Sequence, residues 1–123
     1  MSQLVPHLLL RTDRAVSHAA ETLRSAGYMV SKIDDDAITE TLAGESHVDA
    51  VVVELPVLRA ITLARRIEAQ YGGDVVLLII ASPAETVRRA LASVPVLSPA
   101  LIADDLVSAV DLAFVARQLR RTG

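Results

Sequence analysis

The amino-acid sequence predicts an α/β fold, a five-stranded parallel sheet doubly wound by helices, in a single domain. Three observations carry this. Short continuous apolar runs alternate with segments of helical apolar spacing along the chain; 52% of the 123 residues are hydrophobic; and no cysteine or low-complexity stretch interrupts the pattern. Apolar runs without polar alternation mark strands buried on both faces. Strands alternating with helices imply parallel pairing through right-handed crossovers. A chain of this length buries roughly two-thirds of the surface its unfolded form exposes, enough for a core without disulfides or metal.

Each element has a local reason. Leu8, Leu9 and Leu10 form the first strand. Asp13 is placed to cap a helix in which Val16, Ala19, Ala20 and Leu23 recur at helical spacing, and Gly27 supplies a left-handed stop. Residues 28–33 mix polar and apolar side chains as an edge strand does. The aspartates Asp34, Asp35 and Asp36 open a short helix that closes at Gly44. Ala50 and the valines after it form the third strand, and Leu58, Ile61, Ala64 and Ile67 mark one face of a helix running to Gly72 and Gly73. Residues 75–80 are the most strand-like of all. Ser82, Pro83 and Glu85 then match a capping box with proline at the first helical position, opening a fourth helix. Residues 94–97 form a last strand weakened by Pro95, and 104–121 a closing helix with a basic carboxyl end.

Composition excludes several functions. A formal net charge of −3 speaks against a nucleic-acid module, which needs a positive field. The absence of cysteine removes thiol nucleophiles, thiolate metal sites and redox pairs. The amino end lacks the basic start of a signal peptide, and the longest apolar run, 75–81, is far below the roughly 20 residues needed to span a bilayer. A cytoplasmic protein without membrane contact is expected. Ser17, Ser46, Ser93 and Ser108 lack a nucleophile elbow, and no glycine-rich loop follows a strand, so hydrolase and nucleotide-binding readings have no support. His7, His18 and His47 fall in different elements without ligand spacing, and the three aspartates at 34–36 read as charge at a helix start, so no metal site is expected. Arg65, Arg66, Arg88 and Arg89, with Arg117, Arg120 and Arg121, read as solvated faces; a docking surface for an acidic partner is the alternative.

In such sheets, sites lie at the carboxyl ends of the strands near the point where strand order reverses. The residues there are Arg11, Thr12, Asp13, Glu54, Leu55, Pro56, Ala81, Ser82, Ser98 and Pro99. Around them the chain resembles the receiver domain of bacterial response regulators, a flavodoxin-like (βα)5 fold of about this length. Leu8 to Asp13 stand where that family has an apolar strand followed by an acidic pair. Gly27 and Tyr28 resemble its glycine-aromatic step, Asp49 to Pro56 its third strand, and Leu63 to Ile67 the helix after it. Ser98 and Pro99 stand where it carries a lysine before a proline.

The resemblance implies phosphoryl transfer from a histidine kinase to an aspartate at the end of the third strand. That chemistry needs a nucleophilic carboxylate, a divalent cation held by further carboxylates, and a lysine and a hydroxyl on the phosphoryl oxygens. Each part is altered here. The acidic pair aligns with Arg11 and Thr12, and a shift of one residue recovers only Asp13. The acceptor aligns with Glu54, or with Val52 when counted back from Arg65, Arg66 and Ile67, and the loop after Glu54 is about two residues short. The hydroxyl position holds Ala81, beside Ser82; the lysine position holds Ser98; and no aromatic stands in 94–97.

The expectation is therefore a pseudo-receiver, a non-enzymatic, phosphorylation-independent protein-interaction module in signal transduction. Its partner is a signalling protein, and the resemblance implies homodimers through the fourth helix, fifth strand and fifth helix. No cofactor is expected, with magnesium binding lost or weak. Glu54 marks the degenerate phosphoacceptor position. Arg11 and Glu54 are read either as an ion pair replacing the metal-phosphate cluster or as uncoupled loop residues. The resemblance also implies a cis bond at Ser98–Pro99. Two alternatives stay open: a phosphoacceptor with a rearranged site at Asp13 and Glu54, and a small ligand-binding domain. Residues 1–123 read as one domain, with 118–123 as the start of a linker or tail.

Overall fold

The structure is a computed structural model that describes residues 5–34, 37–38, 41, 48–71 and 75–122, the last three by backbone alone. The chain runs β1 (His7–Thr12), α1 (His18–Ser25), β2 (Met29–Lys32), β3 (Ala50–Glu54), α2 (Val57–Tyr71), β4 (Val76–Ile80), α3 (Ala84–Ala90), β5 (Val96–Leu97), a 3-10 turn (Pro99–Leu101) and α4 (Ile102–Thr122). The five strands form one sheet in the order β2-β1-β3-β4-β5, every neighbouring pair parallel. Strand order reverses beside β1, so the ends of β1 and β3 frame the crevice that such sheets use as a site.

Strand alternation divides the core in two. Leu8, Leu10, Val52, Leu78 and Ile80 pack beneath α1 and α4 with Leu23, Leu106 and Val110. Leu9, Val51, Val53, Leu77 and Ile79 pack beneath α2 and α3 with Ile61, Ile67 and Val87. β3 and β4 are buried along their whole length, which is why their sequences are continuous apolar runs.

Local chemistry shifts several expected boundaries. The first helix starts at His18, because Ser17 is the cap and its Oγ accepts from Ala20 N at 3.2 Å; Asp13 is engaged elsewhere. Val16 is consequently 75% exposed and not a core residue. Gly27 ends the helix at φ +99°, with Tyr28 N reaching back to Leu23 O at 3.2 Å. Asp34 Oδ1 accepts from Ala37 N at 2.9 Å, the cap expected of it, and Ile38 is buried. Asp35, Asp36, Gly44, Ser46, His47, Gly72 and Gly73 lie outside the described residues.

Leu58 is 80% exposed; the buried face of α2 is formed by Ala60, Ile61, Leu63, Ala64 and Ile67. Pro83, not Ser82, holds the cap position of α3, without a side-chain bond. The cis peptide among the described residues is Ser82–Pro83; Ser98–Pro99 is trans. Pro99 instead opens the 3-10 turn, closed by Leu101 N to Ser98 O at 2.9 Å. That correction removes one positional match from the resemblance. No described helix is long and apolar enough to cross a membrane.

At the amino ends of the strands, polar contacts tie α4 to the sheet. Asp49 Oδ2 accepts from His7 N at 2.9 Å, and Arg117 donates to Asp49 O at 3.1 Å. The Arg117 guanidinium also lies 5.7 Å from the Phe114 ring centroid. The Tyr28 hydroxyl donates to Asp111 of α4, and its ring lies 6.2 Å from that of Phe114. Burial, reinforced by the Asp111 carboxylate, raises the Tyr28 phenol above its ordinary range.

Candidate functional site

β1 and β3 run side by side with Thr12 opposite Glu54 and Arg11 opposite Val53. Thr12 and Glu54 therefore share the α1 side of the sheet, while Arg11 falls on the other parity. The loop after Glu54 is only Leu55 and Pro56 before α2 begins, so the first turn of α2 stands against the strand ends. These two facts build the site.

Glu54 is 8% exposed, and its Oε1 accepts two hydroxyls, from Thr12 Oγ1 at 2.8 Å and Ser17 Oγ at 2.9 Å. Thr12 Oγ1 in turn accepts from Arg14 N at 3.1 Å, and Ser17 Oγ caps α1. Both hydroxyls are thus oriented by the main chain. Each donates a hydrogen bond to Glu54 Oε1 and accepts one from a main-chain N–H in return. A buried carboxylate is tolerable only with such partners.

Asp13 forms the second half of the site. Arg59, from the first turn of α2, pairs with it through both guanidinium arms, the longer contact at 3.3 Å. Arg11 reaches the same Asp13 Oδ1 at 3.2 Å and donates to Thr12 O at 2.9 Å. The Arg59 hydrogen bond foremost, then the charges of Arg59 and Arg11, hold the Asp13 carboxyl below its ordinary range. Among the described residues Arg11 forms no ion pair with Glu54. Its cation goes to Asp13, and the two side chains leave the sheet on opposite faces.

The remaining candidates stay apart. Ala81 is buried and bonded through its main chain to Leu97 O at 3.1 Å; Ser82 is exposed; Ser98 and Pro99 start the 3-10 turn. No side-chain hydrogen bond from Ser82 or Ser98 enters the Thr12–Ser17–Glu54 knot. His7 Nε2 pairs with Ser31 Oγ at 2.9 Å, and His18 is an exposed first residue of α1.

Ser17 and Arg59 were not singled out for this site by the sequence. Ser17 carries a signal, a cap residue directly before a helix. Arg59 carries none, because its role depends on the short loop that delivers α2 to β1.

A divalent cation here would draw on Asp13 and Glu54, the carboxylates at the strand ends. Asp13 has both oxygens on guanidinium groups, and Glu54 has Oε1 on two hydroxyls. Magnesium takes oxygens free to enter an octahedron, and three of these four carboxylate oxygens are already engaged by the chain's own side chains. Among the described residues no three acidic or histidine side chains converge.

No family model and no curated protein matches the sequence. Solved structures do match in shape. The signal receiver domain of an HD domain-containing protein from Pseudomonas fluorescens Pf-5 aligns with TM-score 0.78 at 19% identity, covering 99% of this chain and 96% of that one. A LuxR family DNA-binding response regulator from Silicibacter pomeroyi aligns at 0.70 and 19% identity, covering 91% and 93%. A response regulator from Thermotoga maritima aligns at 0.68 and 15% identity, covering 91% and 99%. With the all-parallel sheet in the order β2-β1-β3-β4-β5, these matches show that the chain has the flavodoxin-like fold of response-regulator receiver domains.

Proposed function

We propose that this chain is a pseudo-receiver: a receiver fold that acts in signal transduction by contacting another protein, without accepting a phosphoryl group. The observation that carries the reading is the engagement of the strand-end carboxylates by the chain's own side chains, Glu54 Oε1 by Thr12 and Ser17, and both oxygens of Asp13 by Arg59 and Arg11. Phosphoryl transfer to a carboxylate is mostly positioning and charge neutralisation. The cations at these strand ends, Arg11 and Arg59, are paired with Asp13. On this reading the module is cytoplasmic, needs no cofactor and has lost useful magnesium affinity.

Incubation with acetyl phosphate and magnesium tests it. No acid-labile mass increase of one phosphoryl group and no hydroxylamine-sensitive adduct is the expected result. A stoichiometric acyl phosphate on Glu54 or Asp13 would establish the phosphoacceptor alternative instead.

The homodimer reading, through α3, β5 and α4, is favoured by Leu112, Val115 and Leu119, which stand exposed along α4 at helical spacing. Sedimentation of the chain beside a Leu112→Asp, Leu119→Asp variant tests it. A monomer at every concentration for both would leave that face to a different partner.

A further inference from the structure

Strand β5 is two residues long and pairs only with Ile79 and Ile80 of β4. On β4 the odd-numbered residues aim their main-chain groups toward β5: Ile79 N donates to Pro95 O at 3.0 Å and Ala81 N to Leu97 O at 3.1 Å. Val76 N donates the other way, to Asp49 O at 3.1 Å. By that alternation Leu77 presents its N–H and C=O on the β5 side, one step below the last paired residue. The chain that would answer it holds Pro95, which has no N–H to give. Val94 N turns away to Leu91 O at 3.1 Å. Among the described residues nothing bonds the outer edge of Leu77.

Where β5 would have continued there is a groove of about 450 Å³. Ile67 and Tyr71 of α2 wall it on one face of the sheet, and Ala113 and Ala116 of α4 on the other. Its size falls in the range of about 300–1,000 Å³ typical of ligand sites. A donor and an acceptor side by side on a strand edge are the recognition element for another main chain, whose side chains then alternate between the two walls. Because the edge is recessed between helices, a free extended segment fits it and the rim of a folded second sheet does not. Among the described residues that line the groove Glu68 is the charged one, and the hydrogen bond it accepts from the exposed Ser93 hydroxyl is long at 3.3 Å. A cation on the incoming segment is its natural counterpart.

We propose that this groove binds an extended apolar peptide carrying one basic residue, added to β4 as the lower end of the fifth strand. The site lies at the amino ends of the strands, opposite Glu54, so it stands whether or not the carboxylates accept phosphate. The probe is acetyl-Val-Lys-Val-Ile-amide, titrated to millimolar concentration into the isotopically labelled full chain.

In the free chain the Leu77 amide is expected to exchange faster than that of Ile79. With peptide, shifts gather at Leu77, Tyr71, Ser93 and Ala116, and Leu77 exchange slows. N-methylation of the peptide amide that donates to Leu77 O weakens binding by about tenfold. Glu68→Gln weakens it about threefold, and Ala116→Phe, which fills the groove, abolishes it with the rest of the spectrum unchanged. The proposal is overturned by a Leu77 amide as protected as Ile79 in the free chain, by a silent titration, or by equal binding of the N-methylated peptide. Shifts centred on Leu112 and Leu119, or a dimer whose formation alone protects Leu77, overturn it as well.

Discussion

Removing any one member of the Thr12–Ser17–Glu54 knot strands the others, and the loss can be worked from the contacts. Thr12→Val keeps the shape of the side chain but deletes a 2.8 Å hydrogen bond to a carboxylate that is 8% exposed, so water replaces it poorly. A hydrogen bond to a charged group contributes about 1.5–3 kcal/mol, which sets the expected loss. Ser17→Ala deletes a similar bond at 2.9 Å and the cap of α1, itself worth about 0.5–2 kcal/mol, for a total of about 2–5 kcal/mol. In Glu54→Gln the two hydroxyls keep a neutral acceptor, and about 1–3 kcal/mol is lost as charge assistance disappears. All three act on one oxygen, so their effects do not add. Thr12→Val in the Glu54→Gln background should cost at least about 1 kcal/mol less than in the parent chain. Urea unfolding with constant slope, followed by circular dichroism, measures each. Strict additivity within about 0.5 kcal/mol, or single losses below that size, would show that Glu54 is not held by these hydroxyls.

Other consequences follow from the same contacts. The Asp13 carboxyl, followed by carbon NMR, should titrate below 3.8; Arg59→Gln should move it up further than Arg11→Gln does, since the Arg59 bond is its largest cause. Because that value is depressed on folding, the contribution of Asp13 to stability is complete above the unfolded value and is lost as pH falls through the folded one. Arg11→Asp with Glu54→Asp should gain little magnesium affinity while Arg59 still holds Asp13, and adding Arg59→Ala should raise it at least severalfold, read by calorimetry. The Tyr28 phenol should ionise above its ordinary value of 10 in an ultraviolet titration, and Asp111→Asn should bring the midpoint back part of the way. Its contribution to stability is present below pH 10 and is lost as pH rises through the folded value.

The strands were legible because they are buried on both faces, which leaves continuous apolar runs at 8–10, 50–53 and 75–80 that no surface element imitates. Gly27 was legible because only a left-handed residue ends α1 before β2. The cap of α1 was not: Asp13 and Ser17 are both good cap residues, and the choice is made by Arg59, which arrives from another helix to occupy Asp13. Likewise 94–97 reads as a strand, but Pro95 withholds an N–H and only Val96 and Leu97 pair. The partner of Glu54 was within reach of the sequence. Opposite charge suggested Arg11, whereas strand parity selects Thr12, since residues one apart face opposite ways. Hydroxyls carry no charge signal, and parity is usable only once the register of β1 on β3 is known.

The most direct test of a strand-end site closed by its own side chains is an amide-resolved NMR titration of the full chain with magnesium, then with magnesium and beryllofluoride, a mimic of the acyl phosphate. The account predicts amides at Asp13, Glu54, Ser82 and Ser98 that stay in place through both additions. Saturable shifts gathered at those four positions would mean that Glu54 and Asp13 release their hydroxyls and guanidinium groups to a metal and a phosphoryl mimic, and the chain would then be a working receiver.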